Sequence, residues 1–154
     1  MAEPKFIFRL ETLLEHRKSL EKECQRKVAE IQQEAQKLVR QIQDAQARIE
    51  TENKALTRDK LVGALDMQYI AHEKRFVGNL TMHIALTMRL LAVVDQKLAA
   101  ARAELLTAAK ARKVIEKLRE KQYARWRTEL DRKEAAAMDE MGTQIAMREQ
   151  EQMR

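Results

Sequence analysis

Apolar residues recur every third or fourth position along most of the chain, and charged or amide side chains fill the places between. Leu10, Leu13 and Leu14 open a first stripe. Leu20, Cys24, Val28, Ile31, Ala35, Leu38, Ile42, Ala45, Ile49 and Leu56 continue it. From Val28 to Ile49 the steps alternate three and four, the heptad spacing that keeps one seam of a helix turned toward a partner helix. The two steps of four from Leu20 through Cys24 to Val28 form a stutter, which unwinds a supercoil locally without breaking the helix. Pro4 precedes the stripe, where a helix tolerates it.

A second stripe opens with Phe76, Leu80, Ile84, Met88 and Leu91. It alternates cleanly through Val94, Leu98, Ala101, Leu105 and Ala108, then less regularly through Ile115, Leu118, Trp126 and Leu130. Met138, Met141, Ile145 and Met147 extend it weakly. Periodicity lapses between Thr57 and Ala64, where Asp59 and Gly63 are turn-compatible. Gly78 is the rival turn, but it lies inside a good stripe, where one glycine costs only about 1 kcal/mol. The pattern predicts an all-α fold, a long two-helix antiparallel coiled-coil hairpin in a single domain over 1–154. Helix 1 is expected at about 6–58, the turn at about 59–64 and helix 2 at about 65–148. At about 1.5 Å per residue the arms are roughly 80 and 120 Å long, so the second overhangs the first. The overhang beyond about Leu118 is expected to lack an intramolecular partner. Trp126 and its apolar neighbours are then free to dock another protein, to fray or to dimerise.

Composition agrees with long helices rather than a globular core. Charged residues make up 35% and aromatics 4%, with three glycines and one proline, while a 45% apolar share argues against disorder. Cys24 is the only cysteine, so no internal disulfide forms and a reducing compartment fits. No uninterrupted run of about 18 apolar residues occurs, and Met1–Arg9 does not read as a secretory signal. The expectation is a cytoplasmic protein whose membrane contact is only peripheral.

Chemistry is hard to place on such a chain. His72 and His83 stand about 16 Å apart along a helix and cannot share a metal, and no cysteine or carboxylate completes a ligand pair at i, i+4 with His16 or either of them. There is no phosphate loop and no nucleophile motif, and a two-helix rod offers no walled cleft to shift a pKa. The chain is therefore expected to be no enzyme, with no cofactor and no metal. Charge is more informative. Lys110–Lys133 holds ten basic and four acidic residues, an excess equal to the +6 of the whole chain. Lys113, Lys117 and Lys121 follow one another at i, i+4, a like-charged row suited to an acidic protein, lipid or nucleic acid. Nucleic acid fits least. No basic region sits at a dimer fork, and only Tyr123 and Trp126 could stack on bases.

Three stretches carry a resemblance. Phe6-Ile-Phe-Arg-Leu-Glu-Thr-Leu-Leu-Glu-His-Arg17 opens the chain. Ala111-Arg-Lys-Val-Ile-Glu-Lys-Leu-Arg-Glu-Lys-Gln122 leads through Glu129-Leu-Asp-Arg-Lys-Glu134 to Met138-Asp-Glu140. Phe76-Val-Gly-Asn-Leu80, followed by Ile84, gives an aromatic–x3–Leu–x3–Ile pattern. In this order they resemble the FliJ family of the bacterial flagellar type III export apparatus, although Gly78 and His83 depart from the third pattern. The resemblance implies a flagellar protein export accessory, a small cytoplasmic rod like the stalk of a rotary ATPase. Its partners would be the flagellar export ATPase, the export gate membrane protein and export chaperones. It would work on the cytoplasmic side of the cell membrane at the flagellar base and serve motility. By that resemblance Phe76, Leu80 and Ile84 would touch the gate. Lys113, Lys117, Lys121, Arg125 and Trp126 would meet the ATPase or another acidic partner. The equivalent stalk protein of a virulence type III secretion system, a self-associating structural coiled coil and a basic-helix binder of nucleic acid or membrane surfaces are the alternatives.

Overall fold

The computed structural model describes residues 4–62 and 66–153. Two helices dominate it: α1, Glu11–Val62, of 52 residues, and α2, Met67–Gln152, of 86 residues. They contact each other as an all-α hairpin, and no strand occurs among the described residues. The longer second helix follows from the pattern, but its bounds shift. Residues 59–62, expected in the turn, continue α1, and residues 6–10, expected in helix 1, precede it. Gly63, the expected hairpin point, lies outside the described residues. Gly78 is no turn. α2 runs unbroken through it with ordinary helical φ, and a Cβ there would meet nothing within 4 Å.

Asp66 starts α2. Its Oδ1 accepts hydrogen bonds from the Gln68 amide at 2.9 Å and the Tyr69 amide at 3.4 Å, filling donors that the first helical turn leaves open. The start of α1 is different. The Phe8 carbonyl accepts from the Glu11 amide at 3.2 Å, and Glu11 brings an acid to the positive end of the helix.

Contacts divide the chain into two units, Met1–Leu20 with Ala108–Arg154, and Glu21–Thr107. In the first, Phe8, Leu14 and Ile115 form a small buried cluster, with Leu14 only 2% exposed and Phe6 packed against it. Arg119 Nε donates to Glu11 Oε2 at 3.0 Å, an exposed pair worth about 1 kcal/mol at most.

In the second unit the α1 seam runs through Cys24, Val28, Ile31, Ala35, Leu38, Ile42, Ala45, Ile49, Glu52 and Leu56, all buried or half-buried. The facing stripe on α2 is Glu73, Val77, Leu80, Ile84, Thr87, Leu91, Val94, Leu98 and Ala101, an unbroken alternation of four and three. This corrects the apolar reading at two places. Val77 and Thr87 occupy the seam, whereas Phe76 sits at its edge and Met88 is 50% exposed. Bulky residues drew the stripe off register. Thr87 is 3% exposed and tolerates burial because its hydroxyl donates to the His83 carbonyl at 2.8 Å.

The helices run antiparallel in this unit: Glu52 faces Glu73, and further along α1 Asp59 faces Tyr69, earlier on α2. A hydrogen bond with Glu73, then desolvation, then the charge of Glu73 raise the pKa of Glu52 above its ordinary value. Desolvation, followed by the nearby Asp59 carboxylate, raises that of Tyr69.

Two outcomes follow. Asp66→Ala removes the cap and should cost about 1 kcal/mol, read from urea unfolding followed by circular dichroism. A raised folded-state pKa at Glu52 means the folded chain holds that proton more tightly than the unfolded chain. This contribution to stability is therefore present at low pH and lost as pH rises through the raised value. Glu52→Gln supplies a permanent donor to Glu73, so its melting midpoint should exceed wild type at neutral pH. The advantage should shrink as pH falls toward the ordinary carboxylate value of 4.5. Equal midpoints at neutral pH would remove the pair from the seam.

Candidate partner-binding surfaces

A heptad helix has three kinds of surface: the seam, its two edges and the outer back. The expected gate residues divide between the first two. Leu80 and Ile84 are half-buried seam residues facing α1, and Phe76 is an edge residue, 37% exposed. One helix turn brings Phe76 and Leu80 onto neighbouring positions. Only the aromatic ring presents substantial surface to an incoming partner. Any contact through Leu80 and Ile84 is limited to what the seam leaves open.

The basic row is wholly outward. Lys113, Lys117, Lys121 and Arg125 are all exposed and succeed each other at i, i+4. None of the four makes an ion pair with a described residue, whereas three neighbouring arginines do: Arg112 with Glu116, Arg119 with Glu11, and Arg127 with Asp131. Each paired arginine has a carboxylate at i+4 or across the hairpin. Arg125 has Glu129 at i+4 as well, yet forms no ion pair with it, so the row keeps four unpaired cations on one surface.

Trp126 does not join that row. It is half-buried in an aromatic cluster, with its ring centroid 5.7 Å from Phe6 and 5.6 Å from Tyr123. Phe6 meets Tyr123 edge-on at 5.3 Å and 81°. The expected partnerless overhang beyond Leu118 is thus corrected as far as Trp126, because residues 6–10 are not helical. A non-helical chain advances up to about 3.3 Å per residue against about 1.5 Å in a helix, so Phe6 reaches more than a turn further along α2 than a helical arm would. Only from Asp131 to Met153 is every residue exposed, Met138, Met141, Ile145 and Met147 included.

Sequence reading missed two features. Periodicity alone carries helix 1 back to Phe6, although Phe6, Phe8 and the nearby Pro4 together suit an extended clamp better than a helix start. The outer back of α2 between Met82 and Val93 was also missed, since a search for the seam passes over apolar residues on the opposite side.

No group of three His, Cys, Asp or Glu side chains suited to a metal ion occurs among the described residues.

A family model described as "Flagellar FliJ protein" matches residues 6–151. The chain belongs to the FliJ family. The match covers both helices and the aromatic segment before α1. FliJ membership makes the chain a flagellar export-related, non-enzymatic accessory that associates with components of the export apparatus on its cytoplasmic side. No curated protein and no solved structure matches the chain. Within the FliJ match the aromatic segment and the basic row both fall in the unit formed by the chain's two ends.

The chain has one tryptophan, so the aromatic cluster can be read directly. Phe6→Leu keeps an apolar side chain but removes two ring pairs, each worth about 1 kcal/mol beyond area. Trp126 emission should move to the red and stability should fall. An unchanged spectrum would mean that the N-terminal segment does not pack there.

Proposed function

We propose that this FliJ-family chain is a coiled-coil adaptor that links the flagellar export ATPase to the export gate and assists the cycling of export chaperones. The single observation that carries the reading is the family match across residues 6–151. It is supported by a surface divided into chemically distinct parts. The row Lys113, Lys117, Lys121 and Arg125 carries unpaired charge suited to an acidic ring protein. In this reading Trp126 underlies the row by holding Phe6 rather than touching the partner. The edge at Phe76, with Leu80 and Ile84 behind it, offers an apolar contact to the gate. In this reading the chain contributes no chemistry of its own, so coupling is mechanical and allosteric, and membrane contact in this role is indirect, through the gate.

The charge row gives the sharper test. Lys113→Gln, Lys117→Gln and Lys121→Gln together leave the seam untouched. They should weaken ATPase binding about tenfold, from three exposed charge contacts at about half a kcal/mol each. Binding should also become less salt-dependent, while gate binding is kept. Phe76→Ala should do the reverse. Both can be measured by titrating labelled chain against each purified partner, with motility in soft agar as the cellular readout. Full binding to both partners in both variants would reject the assignment of these surfaces.

A further inference from the structure

The second unit contains a surface that the adaptor reading does not use. Between Arg75 and Asp95 the sequence carries a single charged residue, Arg89. Here α2 reaches a mean hydropathy of 1.5 over an 18-residue stretch, of which 11% is buried. The seam accounts for the buried part, Thr87 and Val94. Met82, Leu86, Leu90 and Val93 are exposed; Met82, Leu86 and Val93 lie on the helix back, away from the α1 seam, and Leu90 lies on the seam edge that Phe76 also occupies.

Charge selects the occupant. From Lys74 to Lys97 the cations are Lys74, Arg75, Arg89 and Lys97, and the one acid is Asp95. All four cations are exposed, and none makes an ion pair with a described residue. Asp95 lies beside the groove toward α1, with Gln43 and Leu91. A second copy would present the same cations, and a two-fold pairing would bring like charge to like charge around Arg89. An apolar stripe set among unpaired cations complements an anionic lipid surface instead. Cations meet the headgroups there and apolar side chains enter the boundary beneath.

The segment lies on such a surface rather than across it. Its other face is packed along α1, whose Gln32, Gln36, Arg40 and Gln43 line the groove beside Leu91 and Leu98. Spanning would either carry those polar groups into hydrocarbon or strip the seam apart.

We propose that the back of α2 from Lys74 to Lys97 binds in the plane of an anionic membrane, with Met82, Leu86, Leu90 and Val93 entering the headgroup–acyl boundary. This contact is direct and does not depend on the export partners, so it stands or falls separately from the adaptor reading.

The test is flotation of the purified full chain with phosphatidylglycerol–phosphatidylcholine vesicles and with pure phosphatidylcholine vesicles. The chain should float with the anionic vesicles alone, less so as salt rises. Leu86→Glu with Leu90→Glu, both exposed, should weaken binding at least about tenfold while helical circular dichroism is unchanged. Arg89→Gln should weaken it by about fivefold. Leu86→Trp in a Trp126→Phe background gives a second readout, a blue shift on adding anionic vesicles. Absence of vesicle binding would overturn the proposal. So would binding that survives Leu86→Glu with Leu90→Glu but is lost with Lys113→Gln, Lys117→Gln and Lys121→Gln, which would assign it to the basic row. A dimer in sedimentation, abolished by Leu86→Glu with Leu90→Glu and accompanied by no vesicle binding, would give the face to a second copy and likewise overturn it.

Discussion

Everything else in the molecule depends on a narrow seam in which two helices bury one residue in every three or four. A seam this thin has no reserve of apolar volume: alanines stand at positions 35, 45 and 101 where larger residues would fill more space. Small seam residues let the helices approach closely but specify register weakly, so register must come from elsewhere. The polar members of the seam are suited to supply it. Thr87 satisfies itself within its own helix, whereas Glu52 and Glu73 meet across the seam, with His72 Nδ1 3.5 Å from Glu73 Oε1. A slip of one heptad would part the pair and set one of the two carboxyls against Leu80 or Ala45.

A seam that consumes so few residues leaves most of each helix free for recognition, and here the free surface is divided by chemistry. Cations without partners concentrate at Lys113–Arg125, while arginines nearby are quenched by carboxylates one turn away or across the hairpin. Apolar side chains without partners concentrate on the back of α2 around Leu86. Two long helices supply length and surface while making little demand on composition.

The aromatic cluster shows how a helix end is secured without a longer partner helix. Extended backbone before Glu11 spends fewer residues per ångström than helix, and three rings spaced along it and α2 convert that reach into buried area. The cost is that Trp126, which composition alone would offer to a partner, is occupied internally.

The sequence by itself determined the two helices, their antiparallel pairing, the excess length of the second and the exposed basic row. The helical features follow from local periodicity, and the row from cations that repeat at i, i+4. Family membership was legible too, because the order of the aromatic opening, the Phe76 segment and the basic Glu-Lys-Leu run survives in one dimension. Tertiary structure alone decided that Thr87 and Val77 take the seam from Met88 and Phe76. Which face is inward depends on the register of the whole heptad ladder, not on which residue is bulkier. It alone decided that Phe6 leaves the helix to meet Trp126, since propensity at a helix start is weak and is outweighed by ring packing against a segment more than a hundred residues away. And it alone showed that Met82, Leu86, Leu90 and Val93 are uncovered, because a spacing of three and four marks an apolar face without saying whether anything lies against it.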